Sequence, residues 1–162
     1  MKRKGRKMLL IAVAIFVITA FYNLWTLRKV NIIYIDSYKD MMLDIVVDHL
    51  PLTDKGRIEW FLENKRKLQK KHPEFNENTY EIVFLDIGEG FMSSRDNYHE
   101  DLRCFESLKK EKNCIQKNDL LVIHFYDGGV TDFDIGFGGP AYRVYIDGKI
   151  ENKPISSPLF DR

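Results

Sequence analysis

The sequence is short of net charge, cysteine, glycine and proline, and each shortage excludes something. Basic and acidic side chains number 25 and 24 in 162 residues, so the formal net charge is +1 and the chain makes no electrostatic case for nucleic acid as a partner. Ten Gly and five Pro beside 44% hydrophobic and 13% aromatic residues exclude a collagen-like or disordered chain and leave room for one folded domain. Catalytic signatures are missing as well, with no Gly-x-Ser-x-Gly elbow and no His-Glu-x-x-His pair. Gly88-Glu89-Gly90 and Gly136-Phe137-Gly138-Gly139 are glycine-rich, but neither opens a helix or carries the Lys-Ser/Thr of a phosphate loop, so both read as turns. His49, His72, His99 and His124 share no short ligand spacing. The expectation is a protein that is not an enzyme and that holds no cofactor and no metal ion.

The most informative absence is of charge between Met8 and Leu27, a stretch that also lacks Pro and Gly. Twenty residues of helix reach about 30 Å, the thickness of a bilayer's hydrocarbon core. Residues 2–7 carry five Lys/Arg, against Arg28, Lys29 and Lys39 in the twenty residues after the span, and Tyr22 and Trp25 sit near its far end, where aromatic rings favour the interface. These features predict a basic cytoplasmic tail (1–7), a transmembrane helix in contact with the lipid bilayer (8–27) and a periplasmic domain (28–162) on a bacterial inner membrane. A cleaved signal peptide is the rival, but the apolar run exceeds the usual length of about 7–15 residues and Ala20 is preceded two positions earlier by Ile18, so an uncleaved signal anchor is expected. No Leu-x-x-Cys pattern marks a lipid anchor, and Ala12, Ala14 and Ala20 form no small-x-x-x-small pair for helix dimerisation. Thr19 and Asn23, four apart, could bond another helix or their own backbone.

Residues 28–162 hold 20 basic and 24 acidic side chains, a net charge of −4. Val30–Ile35 and Leu43–Leu50 read as a pair of strands joined by a polar turn over Asp36–Asp40. A helix follows, capped by Thr53 or Asp54 after Pro51, apolar at Ile58, Phe61, Leu62 and Leu68, basic from Lys65 to Lys71, and ended by His72-Pro73. Trp60 lies off that apolar stripe; it is read either as packing under a neighbouring segment or as an exposed anchor for a protein partner. Thr79–Ile87 and Asp119–Tyr126 read as interior strands, Asp101–Lys112 as a short helix, and Tyr142–Ile146 with Asp147-Gly148 as a hairpin. Pro154 and Pro158 mark a tail. The predicted fold class is α+β, with one N-terminal transmembrane helix, a mostly antiparallel sheet and one or two helices.

Two cysteines, Cys104 and Cys114, invite one disulfide if the domain lies in an oxidising compartment. Asp132 and Asp134 project from one face of a strand and, with Asp127, read either as an acidic patch able to hold a cation or as a solvated edge.

Pro51 through Lys65, Phe84-Leu85-Asp86-Ile87-Gly88-Glu89-Gly90, and Leu102-Arg103-Cys104-Phe105 with Asn113-Cys114-Ile115-Gln116-Lys117-Asn118 resemble the enterobacterial membrane protein family catalogued as domain of unknown function nine-four-three. The resemblance spans most of the chain and implies a small single-pass inner-membrane protein of Gram-negative bacteria with a periplasmic domain; it carries over no catalytic residue. Small size, a tether, an acidic domain and missing catalytic motifs point to a protein that binds a protein partner in the periplasm, with toxin immunity as one form of that role. The alternatives are an accessory subunit of an envelope complex, and a metal-dependent enzyme or sensor built on His124 with Asp127, Asp132 and Asp134.

Overall fold

The computed structural model describes residues 2–39, 41–76 and 78–153. The tail reading at Pro154 and Pro158, and Asp40 of the predicted turn, lie outside the described residues.

The chain opens with helix α1, Lys2–Leu27, in which Gly5–Leu24 is long and apolar enough to cross a membrane and buries nothing against the rest of the protein. A helix apolar all round has no water-facing side, so lipid is the environment that suits it. Two polar side chains within the apolar stretch bond locally: the Thr19 hydroxyl donates to the Ile15 carbonyl and the Asn23 amide to the Thr19 carbonyl, each at 2.8 Å. For Thr19 this is the backbone bonding weighed above.

Strand β1 (Ile32–Tyr38) turns back into β2 (Met42–Val47) through Lys39, which takes a positive φ of 53°. Helix α2 (Asp54–Lys71) then carries the chain over the sheet to β3 (Glu81–Asp86), which lies parallel to β2. Parallel neighbours need such a crossover, and α2 supplies it. The helix starts where Thr53 Oγ1 accepts the Gly56 amide at 3.1 Å, and His72 caps its end by donating its backbone N–H to the Leu68 carbonyl.

The remaining strands are β4 (Leu102–Cys104), β5 (Cys114–Gln116), β6 (Asp119–Phe125), β7 (Thr131–Asp134), β8 (Ala141–Val144) and β9 (Ile150–Lys153). Seven of them form one sheet in the order β1-β2-β3-β6-β7-β8-β9, in which β2–β3 is the parallel pair and the other neighbours are antiparallel; β4 and β5 make a separate hairpin. The α+β reading with a mostly antiparallel sheet therefore holds. The β8–β9 hairpin also forms where Asp147-Gly148 predicts it, with Gly148 at φ 80°, a conformation that costs a residue with a Cβ.

Alternation along the strands divides the sheet into two faces. Leu43, Ile45, Ile82, Phe84, Leu121, Ile123 and Phe133 point toward α2 and meet Ile58, Phe61 and Leu68 in the main core. Phe61 is fully buried, with its ring 5.9–6.4 Å from those of Phe75, Phe84, Phe125 and Phe133. Leu62, expected on this stripe, is exposed instead. On the other face Val46 and Leu85 pack with Phe105 and Ile115 of the small hairpin, forming a second core against Tyr34 and Phe91.

That second core corrects the reading of Asp101–Lys112 as a helix. Leu102, Phe105 and Leu108 do recur at helical spacing, but twelve residues form a marginal helix and tertiary pairing wins. The Phe105 amide donates to the Asn113 carbonyl at 2.9 Å, Cys104 sits opposite Cys114 in the ladder, and their sulfurs lie at disulfide distance, 2.07 Å. The cysteine link thus closes the β4–β5 hairpin.

Candidate functional site

The face of the sheet turned away from α2 gathers the charged residues singled out from sequence. Register sets Glu81, His124, Asp132, Arg143 and Glu151 in one row across β3, β6, β7, β8 and β9. His124 is flanked by two carboxylates, with Nδ1 3.2 Å from Glu81 and Nε2 3.3 Å from Asp134. Asp132 has no exposed surface and accepts from Arg143 Nε at 2.6 Å, from the second Arg143 nitrogen at 2.8 Å and from Lys153 Nζ at 2.6 Å. The Arg143 guanidinium and then the Lys153 ammonium outweigh burial and hold the Asp132 carboxyl below its ordinary pKa. Glu151 is paired with Lys149 at 2.6 Å and accepts from the Tyr145 hydroxyl.

This pairing corrects the acidic-patch reading. Asp132 is already bound to two cations from strands far along the sequence, Asp134 faces an imidazole, and Asp127 sits exposed in a 3₁₀ turn (Asp127–Gly129) outside the row. Among the described residues no three His, Cys, Asp or Glu side chains converge as a metal site would require. The row is therefore a structural charge ladder, which removes the particular arrangement on which an enzyme or sensor was drawn.

A cleft of about 590 Å³ opens between β1–β2 and the small hairpin, lined by Asp36, Tyr38, Met42, Asp44, Arg103, Cys104 and Glu106. Arg103 crosses it to Asp44, with contacts of 2.6 and 2.7 Å to one carboxylate oxygen. Burial raises the Asp44 carboxyl above its ordinary pKa even so, since it outweighs the Arg103 pairing and is reinforced by the charges of Asp36 and Asp119. Among the described residues its lining sets three carboxylates, Asp36, Asp44 and Glu106, around the Arg103 guanidinium, so the cleft can recognise charge, and the Ser107 hydroxyl donates to Asp36 at its edge. Cys104 forms part of its wall, whereas Cys114 is fully buried.

Other sequence candidates scatter. Trp60 is half-buried, packed on the main core with its ring edge-on to Phe84 at 5.7 Å. His49 lies beside Asp48 near the end of β2, His72 caps α2, and the His99 ring lies against Tyr98.

A feature without a sequence motif lies at the end of the sheet opposite the one where the chain arrives from α1. Tyr38, Met41, Tyr80 and Tyr126 occupy four successive strand ends there, and all four are exposed, Tyr38 by 64% and Tyr126 by 50%. Backbone bonds link this rim: Met41 donates to the Tyr38 carbonyl, Tyr80 to that of Met41, and Phe125 to that of Tyr80. The β1 length places the rim about 20 Å from the entry point. Exposed large rings on a fixed backbone are the usual anchors of protein interfaces. Only their position at strand ends could have found them, since their spacing in the chain follows no period.

Residues 2–153 match the family model described as "Enterobacterial putative membrane protein (DUF943)". No curated protein and no solved structure matches the chain.

Proposed function

The chain belongs to this enterobacterial membrane protein family of unknown function, and from that premise we propose that it is a single-pass inner-membrane protein whose periplasmic domain binds a protein partner without catalysis. Support for the topology comes from the basic head before an apolar α1 and the weaker positive charge after it. An oxidising compartment also suits the paired cysteines. The observation that carries the binding function is the rim of Tyr38, Met41, Tyr80 and Tyr126, held at the end of the sheet farthest from the tether. A tether that fixes one end leaves the other free to meet a partner, and Tyr and Met are enriched where partners dock. A toxin on that rim makes the protein an immunity factor; a resident envelope protein makes it an accessory subunit.

The test places a photoreactive amino acid at Tyr80 or Tyr126 of the full chain in native envelopes and, as a control, at Glu59 on α2. A discrete adduct from the rim positions but not from Glu59 is the expected result, and its mass identifies the partner. Irradiation that yields no adduct from either rim position in cells holding normal amounts of the protein overturns the reading.

A further inference from the structure

A second recess of about 300 Å³ lies beside the rim, between the C-terminal half of α2 and the ends of β6 and β7. Its donors are Lys65 and Gln69 of α2 and Thr79 before β3; its walls include Phe75, Phe125 and Tyr126. Among the described residues no acidic side chain lines it. Lys65 is the unusual member. Its ammonium stands 4.3 Å above the Phe125 ring, and among the described residues it has neither an ion pair nor a hydrogen bond. Burial without a compensating acid lowers its pKa from the ordinary lysine value. Thr79 is buried; its oxygen accepts the Asn76 amide, and its own hydroxyl proton finds no acceptor among the described residues.

A half-buried cation left unpaired is costly, and a protein that keeps one in a recess gains when an anion enters. The α2 side of the recess agrees in sign, while the exposed acids Glu74 and Asp127 adjoin its wall residues Phe75 and Tyr126 in the chain. Arg66, Lys67, Lys70 and Lys71 follow Lys65 in the last two turns of α2, all exposed, and no acidic side chain interrupts them. The aromatic walls are held by the core, since Phe75 and Phe125 stack on each other at 5.9 Å and each contacts Phe61.

We propose that this recess is a carboxylate-binding site, in which Lys65 pairs with the anion, Gln69 and Thr79 donate to it, and Phe75, Phe125 and Tyr126 receive an apolar or aromatic body. A free organic acid and an acidic side chain of a polypeptide offer the same chemistry. The site shares Tyr126 with the rim, but the binding of an anion at Lys65 does not depend on the rim proposal.

The experiment uses the full chain in nanodiscs. Three probes are titrated: 3-phenylpropionate, its uncharged amide, and an acetylated, amidated peptide alternating glutamate and phenylalanine. Calorimetry reads binding, and mass spectrometry reads the rate at which Lys65 is acetylated, with exposed Lys112 as the internal reference. The expected result is that at least one carboxylate probe binds and slows acetylation of Lys65 relative to Lys112, that the amide does neither, and that Lys65→Met weakens binding by about tenfold or more, as loss of a charged hydrogen bond predicts. Gln69→Ala, at a half-buried position of α2, gives a smaller loss in a variant that keeps the cation. Preference for the free acid assigns the site to a small ligand, and preference for the peptide assigns it to a polypeptide. Equal action of acid and amide, no protection of Lys65 by either carboxylate, or undiminished binding in Lys65→Met overturns the proposal.

Discussion

The Asp48 carboxylate grips Arg28 at 2.7 Å and so joins the end of β2 to the first residue beyond α1. Its other oxygen accepts the Asn31 amide at 2.9 Å and lies 2.7 Å from His49 Nδ1, while His49 Nε2 lies 3.2 Å from the Arg28 carbonyl. Burial pushes the Asp48 carboxyl up, but the Asn31 amide, the His49 ring and Arg28 together outweigh it and leave its pKa below the ordinary value. A carboxyl depressed in the folded state stabilises fully above the unfolded value, about 3.9, and loses that contribution as pH falls through the lower folded value. Arg28 is more than half exposed, so most of the effect rests with Asn31 and His49. Asp48→Asn is therefore expected to cost about 1 kcal/mol near neutral pH. Denaturant unfolding of both proteins should show that deficit shrinking below about pH 4; a gap independent of pH would assign the loss to something other than the clamp.

Reduction of the Cys104–Cys114 link frees a loop of sequence separation 10, and chain entropy sets the expected destabilisation at about 2–3 kcal/mol. The effect should be local. Phe105 and Ile115 fill the second core, whereas the cluster around Phe61 lies on the other side of the sheet. Hydrogen exchange in the Cys104→Ser, Cys114→Ser double variant should rise over 102–116 while α2 keeps its protection. Uniform loss of protection would mean that the two cores unfold as one.

Strands and helix were legible wherever a local pattern decided them: the Thr53 cap, the Ile58–Phe61–Leu68 stripe, the Asp147-Gly148 turn and the charge-free span each carry their own cause within a few residues. The failures share the opposite property. Leu102, Phe105 and Leu108 look helical until Cys104 meets Cys114 and Phe105 inserts over Val46 and Leu85, which are distant in sequence. Asp132 looks like half of a cation site until β8 and β9 deliver Arg143 and Lys153 to it. The rim is hidden for the same reason, since Tyr38, Tyr80 and Tyr126 become neighbours only through the strand order.

Asp132 offers a direct check on the charge ladder. Asp132→Asn keeps the shape but leaves Arg143 and Lys153 facing each other without their anion. Removing one member of a fully buried pair costs about 3–5 kcal/mol. Both cations retain about a third of their side-chain exposure, so about 2 kcal/mol is expected here. Thermal unfolding of Asp132→Asn and of Asp127→Asn in nanodiscs separates the readings: the first should be destabilised and the second should match wild type, because Asp127 has no cation partner among the described residues. Equal behaviour of the two would return Asp132 to the solvated edge.

Trp60 distinguishes a structural aromatic from a docking one. With Trp25→Phe in place, Trp60 is the remaining tryptophan, and its half-buried ring against Phe84 should emit to the blue of a solvated indole and shift red on unfolding. Trp60→Phe preserves an aromatic contact with Phe84 and should cost less than about 1.5 kcal/mol. Trp60→Ala opens a gap beside the core and should cost about 2 kcal/mol, below a fully buried ring because the site is partly open to solvent. Adduct formation from Tyr80 in Trp60→Phe then decides its second role. An unchanged adduct leaves Trp60 as support for the sheet, whereas loss of the adduct at unchanged stability would extend the docking surface from the rim onto α2.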